Sequence, residues 1–309
     1  MSPELQAISE QFPWFFPLWA GIFGACIGSF LNVCIYRIPK NESVVSPPSH
    51  CGCGRRIVWY DNIPVLSWFI LRGKARCCGR PFSFRYPAIE LLTAALFVAC
   101  WLLFSPGKAL AGAVLCSIVV CAHFIDHDHM IIPDAFTIGG AALGLLLSLL
   151  LPGLHGQLHE LWFVAGMRAL LDSVLGLFVG SALVLWIALF AEVILRKEAM
   201  GFGDVKYLGA LGAFVGWQGA VFGMFGGAVL GCVWFIAAYA WKKTTGKNAP
   251  VNLPAETPEG QPAELGLGVH VPFGPMLGLA ALIYFFWAHR WVDPYFLDLK
   301  KVFEEQPLF

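Results

Sequence analysis

Two acidic residues interrupt apolar sequence where a charge is costly. Asp126 closes one apolar run, in Phe124-Ile125-Asp126-His127-Asp128-His129, and Asp204 opens another, in Gly201-Phe202-Gly203-Asp204-Val205-Lys206. An ionisable group in or at the edge of a membrane-crossing segment is expensive to keep there, which makes it a functional candidate. Two carboxyls that share a site cannot both ionise easily, so one retains a proton while the other is charged. The protonated member can polarise a carbonyl while its partner deprotonates an attacking water. Gly201 and Gly203 add backbone without side-chain bulk beside Asp204, leaving room for an extended peptide.

Simpler readings compete with this one. Asp126, Asp128 and Asp134 can be juxtamembrane acids solvated at helix ends. Asp134 follows Pro133 and suits the first turn of a helix, where a negative charge is favoured. Asp126-x-Asp128-His129 also carries carboxylate and imidazole ligands for a divalent metal. A second cluster lies in polar sequence, as Cys51-Gly52-Cys53 and Cys77-Cys78. Four thiolates can surround zinc at about 2.3 Å in a tetrahedron, although adjacent cysteines constrain the chain more than the usual C-x-x-C hairpin. A reducing cytoplasm disfavours a disulfide there, which leaves metal binding, free structural thiols or redox chemistry. The other six cysteines, Cys26, Cys34, Cys100, Cys116, Cys121 and Cys232, fall in apolar stretches and read as small buried hydrophobes.

The elements that must position these residues are membrane helices. The chain is 58% hydrophobic and 13% charged, with a mean hydropathy of +0.69, where soluble domains carry about 25% charged residues. The formal charge of zero argues against a nucleic-acid partner and leaves the distribution of charge as the informative quantity. About 20 apolar residues span a bilayer, and eight segments approach that: 14–36, 88–104, 109–125, 132–152, 168–195, 204–216, 218–240 and 271–289. The first is preceded by Glu4 and Glu10 without Lys or Arg, and so reads as a retained helix rather than a cleaved signal. The expected fold is an all-α membrane bundle of about eight transmembrane helices with a small cytosolic cysteine-containing domain. Its divisions are 1–36, the first helix; 37–87, the cytosolic loop domain; and 88–309, the core, with a flexible cytosolic loop at 241–270.

Orientation follows from basic residues in short loops. Between Arg37 and Pro87 stand nine Lys and Arg against two acids, Glu42 and Asp61, which places that loop in the cytoplasm. Alternating eight spans from there puts Asp126 and Asp204 on the same cytoplasmic side.

At these residues the sequence resembles the bacterial type IV prepilin peptidases. The resemblance rests on Gly28-Ser29-Phe30-Leu31-Asn32-Val33 with Arg37-Ile38-Pro39, and on Asn62-Ile63-Pro64 with Arg85-Tyr86-Pro87-Ala88-Ile89-Glu90. It continues through Ile125-Asp126-His127-Asp128 with Ile132-Pro133-Asp134, then Gly201-Phe202-Gly203-Asp204 with Lys206, and Pro272-Phe273-Gly274-Pro275. It implies an enzyme of the bacterial inner membrane that cleaves the basic leader of a prepilin or pseudopilin after a glycine. It further implies N-methylation of the new terminus with S-adenosylmethionine. Asp126 and Asp204 match the catalytic aspartates, Cys51, Cys53, Cys77 and Cys78 occupy the place of the family's zinc cysteines, and Gly73 aligns with a glycine associated with methyl transfer. The rival reading from another class is a proton- or ion-coupled transporter using its intramembrane acids. Transporters of that kind show paired halves, and no internal repeat is evident here. A third reading, a noncatalytic assembly factor, would use the cysteine loop to bind partners. Membrane lipid is an expected partner on any of these readings, and the oligomeric state stays open.

Overall fold

The computed structural model describes residues 8–196, 200–245 and 272–305. Beside helical residues at 8–11 they include α1 (Phe15–Arg37), α2 (Leu66–Ile70), α3 (Arg85–Leu103), α4 (Pro106–His129), α5 (Asp134–Leu150), α6 (Trp162–Leu195), α7 (Phe202–Thr245), α8 (Gly274–Ile283) and α9 (His289–Glu305). Short 3-10 turns and one π-helical turn, Tyr284–Ala288, complete the helical elements. No strand occurs among the described residues, where isolated antiparallel bridges pair His50 with Arg56 and Lys74 with Pro81. The all-helical expectation therefore holds. Five helices, α1, α3, α4, α6 and α7, are long and apolar enough to cross a membrane, and α5 is a shorter apolar helix.

Helix boundaries fall where local chemistry sets them. Pro106 occupies the first turn of α4, where its missing N–H costs nothing and its fixed φ suits the helix. Met130, left-handed at φ 54°, ends α4 by donating its N–H to the Asp126 carbonyl at 2.8 Å. α7 holds a reversal inside it: Gly216 sits at φ 74°, ψ 179°, a conformation glycine alone adopts readily. Beyond it the chain folds back on itself. A Cβ placed on Gly223 would lie 3.1 Å from Leu208, and one on Gly212 would lie 3.3 Å from Ala220. α7 is thus a hairpin of two antiparallel limbs, as the separate segments 204–216 and 218–240 require. The end of the first limb leaves carbonyls without helical partners, and the Ser173 hydroxyl donates to Ala213 O at 2.6 Å.

The core is built from α4, the first limb of α7 and α8. Leu115, Cys116, Leu208, Leu211 and Leu277 are fully buried there. The outer faces of α1 and α6 expose Phe23, Phe178, Trp186 and Phe190, as helices bordered by lipid do. α6 meets the first limb of α7 backbone to backbone, with a Cβ on Gly176 reaching to 2.1 Å of Gly212 O. Small residues let membrane helices approach in this way.

Three expectations need correction. Arg168, expected at the end of a loop, lies inside α6, which begins at Trp162. Trp241 to Thr245, expected in a flexible loop, continue α7 as helix, because no proline interrupts them before Pro250. The rest of that loop, 246–270, lies outside the described residues. The last apolar segment, expected to end at 289, passes through its π-turn into α9.

The α6–α7 seam is open to a direct test. Gly176→Leu should lower the thermal unfolding midpoint of the purified protein in micelles strongly, at or above the roughly 1–3 kcal/mol usual for overpacking. Gly139→Ala, where an added Cβ meets nothing nearer than 3.9 Å, should leave the midpoint unchanged.

Candidate active site

Asp126 sits in the last turn of α4 and is 6% exposed. The start of α8 is pressed against it: a Cβ on Gly274 would stand 2.7 Å from Asp126 Oδ2 and 2.7 Å from Ile132 Cδ1. The Gly274 backbone N–H faces the same carboxyl, so the positive end of α8 points at the acid. Asp126 Oδ2 itself is buried without a hydrogen-bond partner. Asp204 lies in the first turn of α7, its N–H donating to Gly201 O at 3.1 Å. An acid in that turn also sits at the positive end of its own helix.

The two aspartates, 78 positions apart in the chain, line one cavity of about 290 Å³ together with Met130, Met200, Gly201, Pro272 and Phe273. The structure thus brings to one cavity two acids that the sequence separates widely. A Cβ on Gly201 would meet nothing nearer than 3.9 Å. This glycine leaves open space beside the acids rather than fitting a tight contact.

Neighbouring charges act as fasteners for the elements that carry the pair. Arg85, at the start of α3, holds Asp128 bidentately at 2.6 and 3.0 Å, and its guanidinium also lies 4.8 Å from the Phe124 ring centre. Lys206 pairs with Asp134, and Thr137 donates to Asp134 at 3.3 Å. The starts of α5 and α7 are thereby joined two residues past Asp204. Asp134 serves at a helix start, as expected. Asp128 is engaged by Arg85 rather than forming a metal site with Asp126 and His129. These ion pairs, and the Met130 and Met200 lining, were not singled out from the sequence, whereas Phe273 stands in the Pro272-Phe273-Gly274-Pro275 stretch. The alternation of acids and bases around the apolar runs was the available signal.

The cysteine cluster is a separate centre at the same end of the bundle, since Arg85 closes its loop onto Asp128. The four sulfurs of Cys51, Cys53, Cys77 and Cys78 all lie within 4.8 Å of one another. Cys51 and Cys78 are 3.5 Å apart, and Cys53 and Cys77 are 3.4 Å apart. Ligands at about 2.3 Å in a tetrahedron would stand about 3.8 Å from each other, so the arrangement fits a four-thiolate metal site. Each pair is carried on a tight turn beside one of the two antiparallel bridges, with left-handed Gly54 (φ 86°) and Gly79 (φ 67°) turning the chain. The Arg55 N–H and the Cys77 thiol bring Cys53 down to about 7. Sharing with Cys51 and Cys53 pushes Cys77 up to about 12. Gly73 sits elsewhere in the loop at φ 67°, where a Cβ would press the Trp68 indole at 3.2 Å. Trp68 Nε1 donates to Phe82 O at 3.3 Å. Fit to Trp68 accounts for this glycine without any ligand.

Residues 22–104 match the Bacterial Peptidase A24 N-terminal domain, and residues 113–236 match the Type IV leader peptidase family. The cysteine loop falls within the first and both aspartates within the second. Among curated relatives, the prepilin leader peptidase/N-methyltransferase of Xanthomonas campestris is 35% identical over 91% of this chain and 94% of its own length. Those of Aeromonas hydrophila and Myxococcus xanthus are each 38% identical, over 69% and 72% of this chain. The matches span 78% of the Aeromonas protein and 64% of the Myxococcus protein. No solved structure matches.

The Arg85–Asp128 tie yields a test by double substitution. Arg85→Leu should cost about 1 kcal/mol of stability, given the partial exposure of both side chains. Arg85→Leu combined with Asp128→Leu should recover most of that loss in thermal unfolding, because the second change removes the stranded carboxylate.

Proposed function

The chain belongs to the type IV leader peptidase family, and from that premise we propose that it cleaves the basic leader of a type IV prepilin or type II secretion pseudopilin and methylates the new N-terminus. The observation that carries the cleavage is the convergence of Asp126 and Asp204 on one cavity at the ends of α4 and α7. The protonated aspartate donates toward the scissile carbonyl oxygen. The ionised one takes a proton from water as its oxygen attacks the carbonyl carbon. The tetrahedral intermediate then collapses, the C–N bond breaks, and the proton held by the base passes to the departing amine. The open space at Gly201 admits an extended segment of substrate beside the acids, while the substrate's apolar helix stays in lipid.

Eight crossings account for the bundle if the two limbs of α7 are counted separately and α5 and α8 are included. Loop 37–87 would then be a cytosolic domain and 88–309 the peptidase core. Its nine basic residues place the loop in the cytoplasm, and the Arg85–Asp128 pair holds the dyad at the same end. The active site accordingly faces the cytoplasm of a bacterial inner membrane, where a basic leader is retained.

Zinc is the metal we assign to Cys51, Cys53, Cys77 and Cys78. It would fasten the two turns of the loop and takes no part in hydrolysis. For methyl transfer the donor is S-adenosylmethionine, which supplies an electrophilic methyl group. Gly73 is packed against Trp68 and shows no cradle for that molecule, so no step is derived through it.

Asp126→Asn and Asp204→Asn should each abolish leader cleavage of a purified prepilin, read by mass, while the protein still purifies from membranes with unchanged helical content. Retained cleavage by either variant would overturn the assignment. Metal analysis of the purified protein should find one zinc per chain, lost in Cys53→Ser/Cys77→Ser. Metal retention against a chelator should weaken as the pH falls below 7, because protons compete for the thiolates.

A further inference from the structure

Two buried side-chain atoms among the described residues lack any hydrogen-bond partner, and both belong to the neighbourhood of the dyad. They are Asp126 Oδ2 and the hydroxyl of Tyr207. Buried polar groups are satisfied in the great majority of cases, so an orphan calls for a physical account. Tyr207 lies one turn beyond Asp204 on α7 and is 1% exposed. Leucine or phenylalanine would fill the same space without an unsatisfied hydroxyl. The two orphans face one stripe of α8. A Cβ on Gly274 would stand 2.7 Å from Asp126 Oδ2, and a Cβ on Gly278, one turn further, would stand 2.7 Å from Tyr207 Oη. Residues four apart on a helix lie about 5–6 Å from each other. Both oxygens therefore lie against positions one turn apart on the same face of α8.

We propose that Tyr207 is a positioning residue of the dyad, donating its hydroxyl hydrogen through one water to Asp126 Oδ2 and so fixing Asp126 as the ionised base and Asp204 as the acid. The chemistry sets the direction of the effect. A phenol that donates to a carboxylate favours its ionised form, and the shared proton is displaced to the other acid. The groups within electrostatic reach of the hydroxyl are Asp126 and Cys121 of α4 and Asp204 of α7 itself. α8 presents Gly278 to it, and Lys206 is engaged with Asp134.

The inference rests on the dyad assignment and is tested apart from it. Tyr207→Phe keeps the ring and removes only the hydroxyl. Measured on a purified prepilin, it should lower kcat about tenfold, the size expected for a lost hydrogen bond to a charged group, with KM unchanged. The acid limb of the kcat–pH profile should move to higher pH, because the base loses a donor to its ionised form. Incorporating 3-fluorotyrosine at 207, a stronger donor of nearly the same shape, should move that limb to lower pH. A purely structural role would change thermal stability and leave both limbs in place. Wild-type kcat with an unmoved acid limb in Tyr207→Phe would overturn the proposal. If Tyr207→Phe failed to fold, an unmoved limb in the fluorotyrosine protein would overturn it equally. Inactive Asp126→Asn and Asp204→Asn proteins beside an unaffected Tyr207→Phe would sink this inference alone, whereas active aspartate variants would sink the dyad reading itself.

Discussion

The structure is organised around keeping two carboxyl groups together at the edge of an apolar bundle. A single aspartate at the centre of a membrane helix costs about 3 kcal/mol on insertion scales, and a second beside it adds repulsion. The bundle limits that cost by placing both at helix ends. Asp126 lies in the last turn of α4 against the first N–H of α8, and Asp204 lies in the first turn of α7. Helix starts offer unpaired N–H groups and a positive potential, so each acid meets compensation from backbone rather than from a lysine or arginine. A basic side chain in the cavity would tend to hold both acids ionised and remove the division of labour that hydrolysis needs.

Positive charge is instead stationed one step outward, where it positions helices. Arg85 joins the start of α3 to the end of α4 through Asp128, and Lys206 joins the start of α7 to that of α5 through Asp134. The acids nearest the dyad in sequence are thereby tied up in the scaffold, which separates them chemically from Asp126 and Asp204. Within the bundle the precision comes from glycine contacts. The Gly176–Gly212 approach sets α6 on the first limb of α7, and Gly274 sets α8 on Asp126. Any side chain at these points would shift a helix by more than a hydrogen bond tolerates.

The loop between α1 and α3 solves a different problem. It carries many exposed apolar residues, Trp59, Leu66 and Ile70 among them, and only one short helix. Such a segment has too little core to hold itself by burial alone. Two turns bring four thiols within 4.8 Å of one another, an arrangement a metal ion could cross-link where a core is lacking. The same loop is clamped to the membrane-embedded part by Arg85, and by Glu90 of α3, which accepts the Val65 N–H at 2.7 Å.

The sequence by itself determined the helical class, the apolar segments, the basic loop and the two candidate acids. Each of these is a property of local composition, since the free energy of crossing lipid is summed over neighbouring residues. It also divided 204–216 from 218–240, although the reversal at Gly216 that separates them is a backbone geometry seen only in the structure. Composition could not assign Arg168, which sits inside α6, or Trp241 to Thr245, which continue α7, since boundaries depend on what packs around them. Nor could it explain Cys51-Gly52-Cys53 and Cys77-Cys78, whose compression is absorbed by the left-handed glycines that follow each pair. The position of Tyr207 against α8, the pressure of Gly274 on Asp126 and the capture of Asp128 by Arg85 were decided only in the tertiary structure. They are contacts between residues distant in the chain, and the geometry that makes them exists only after the helices have docked.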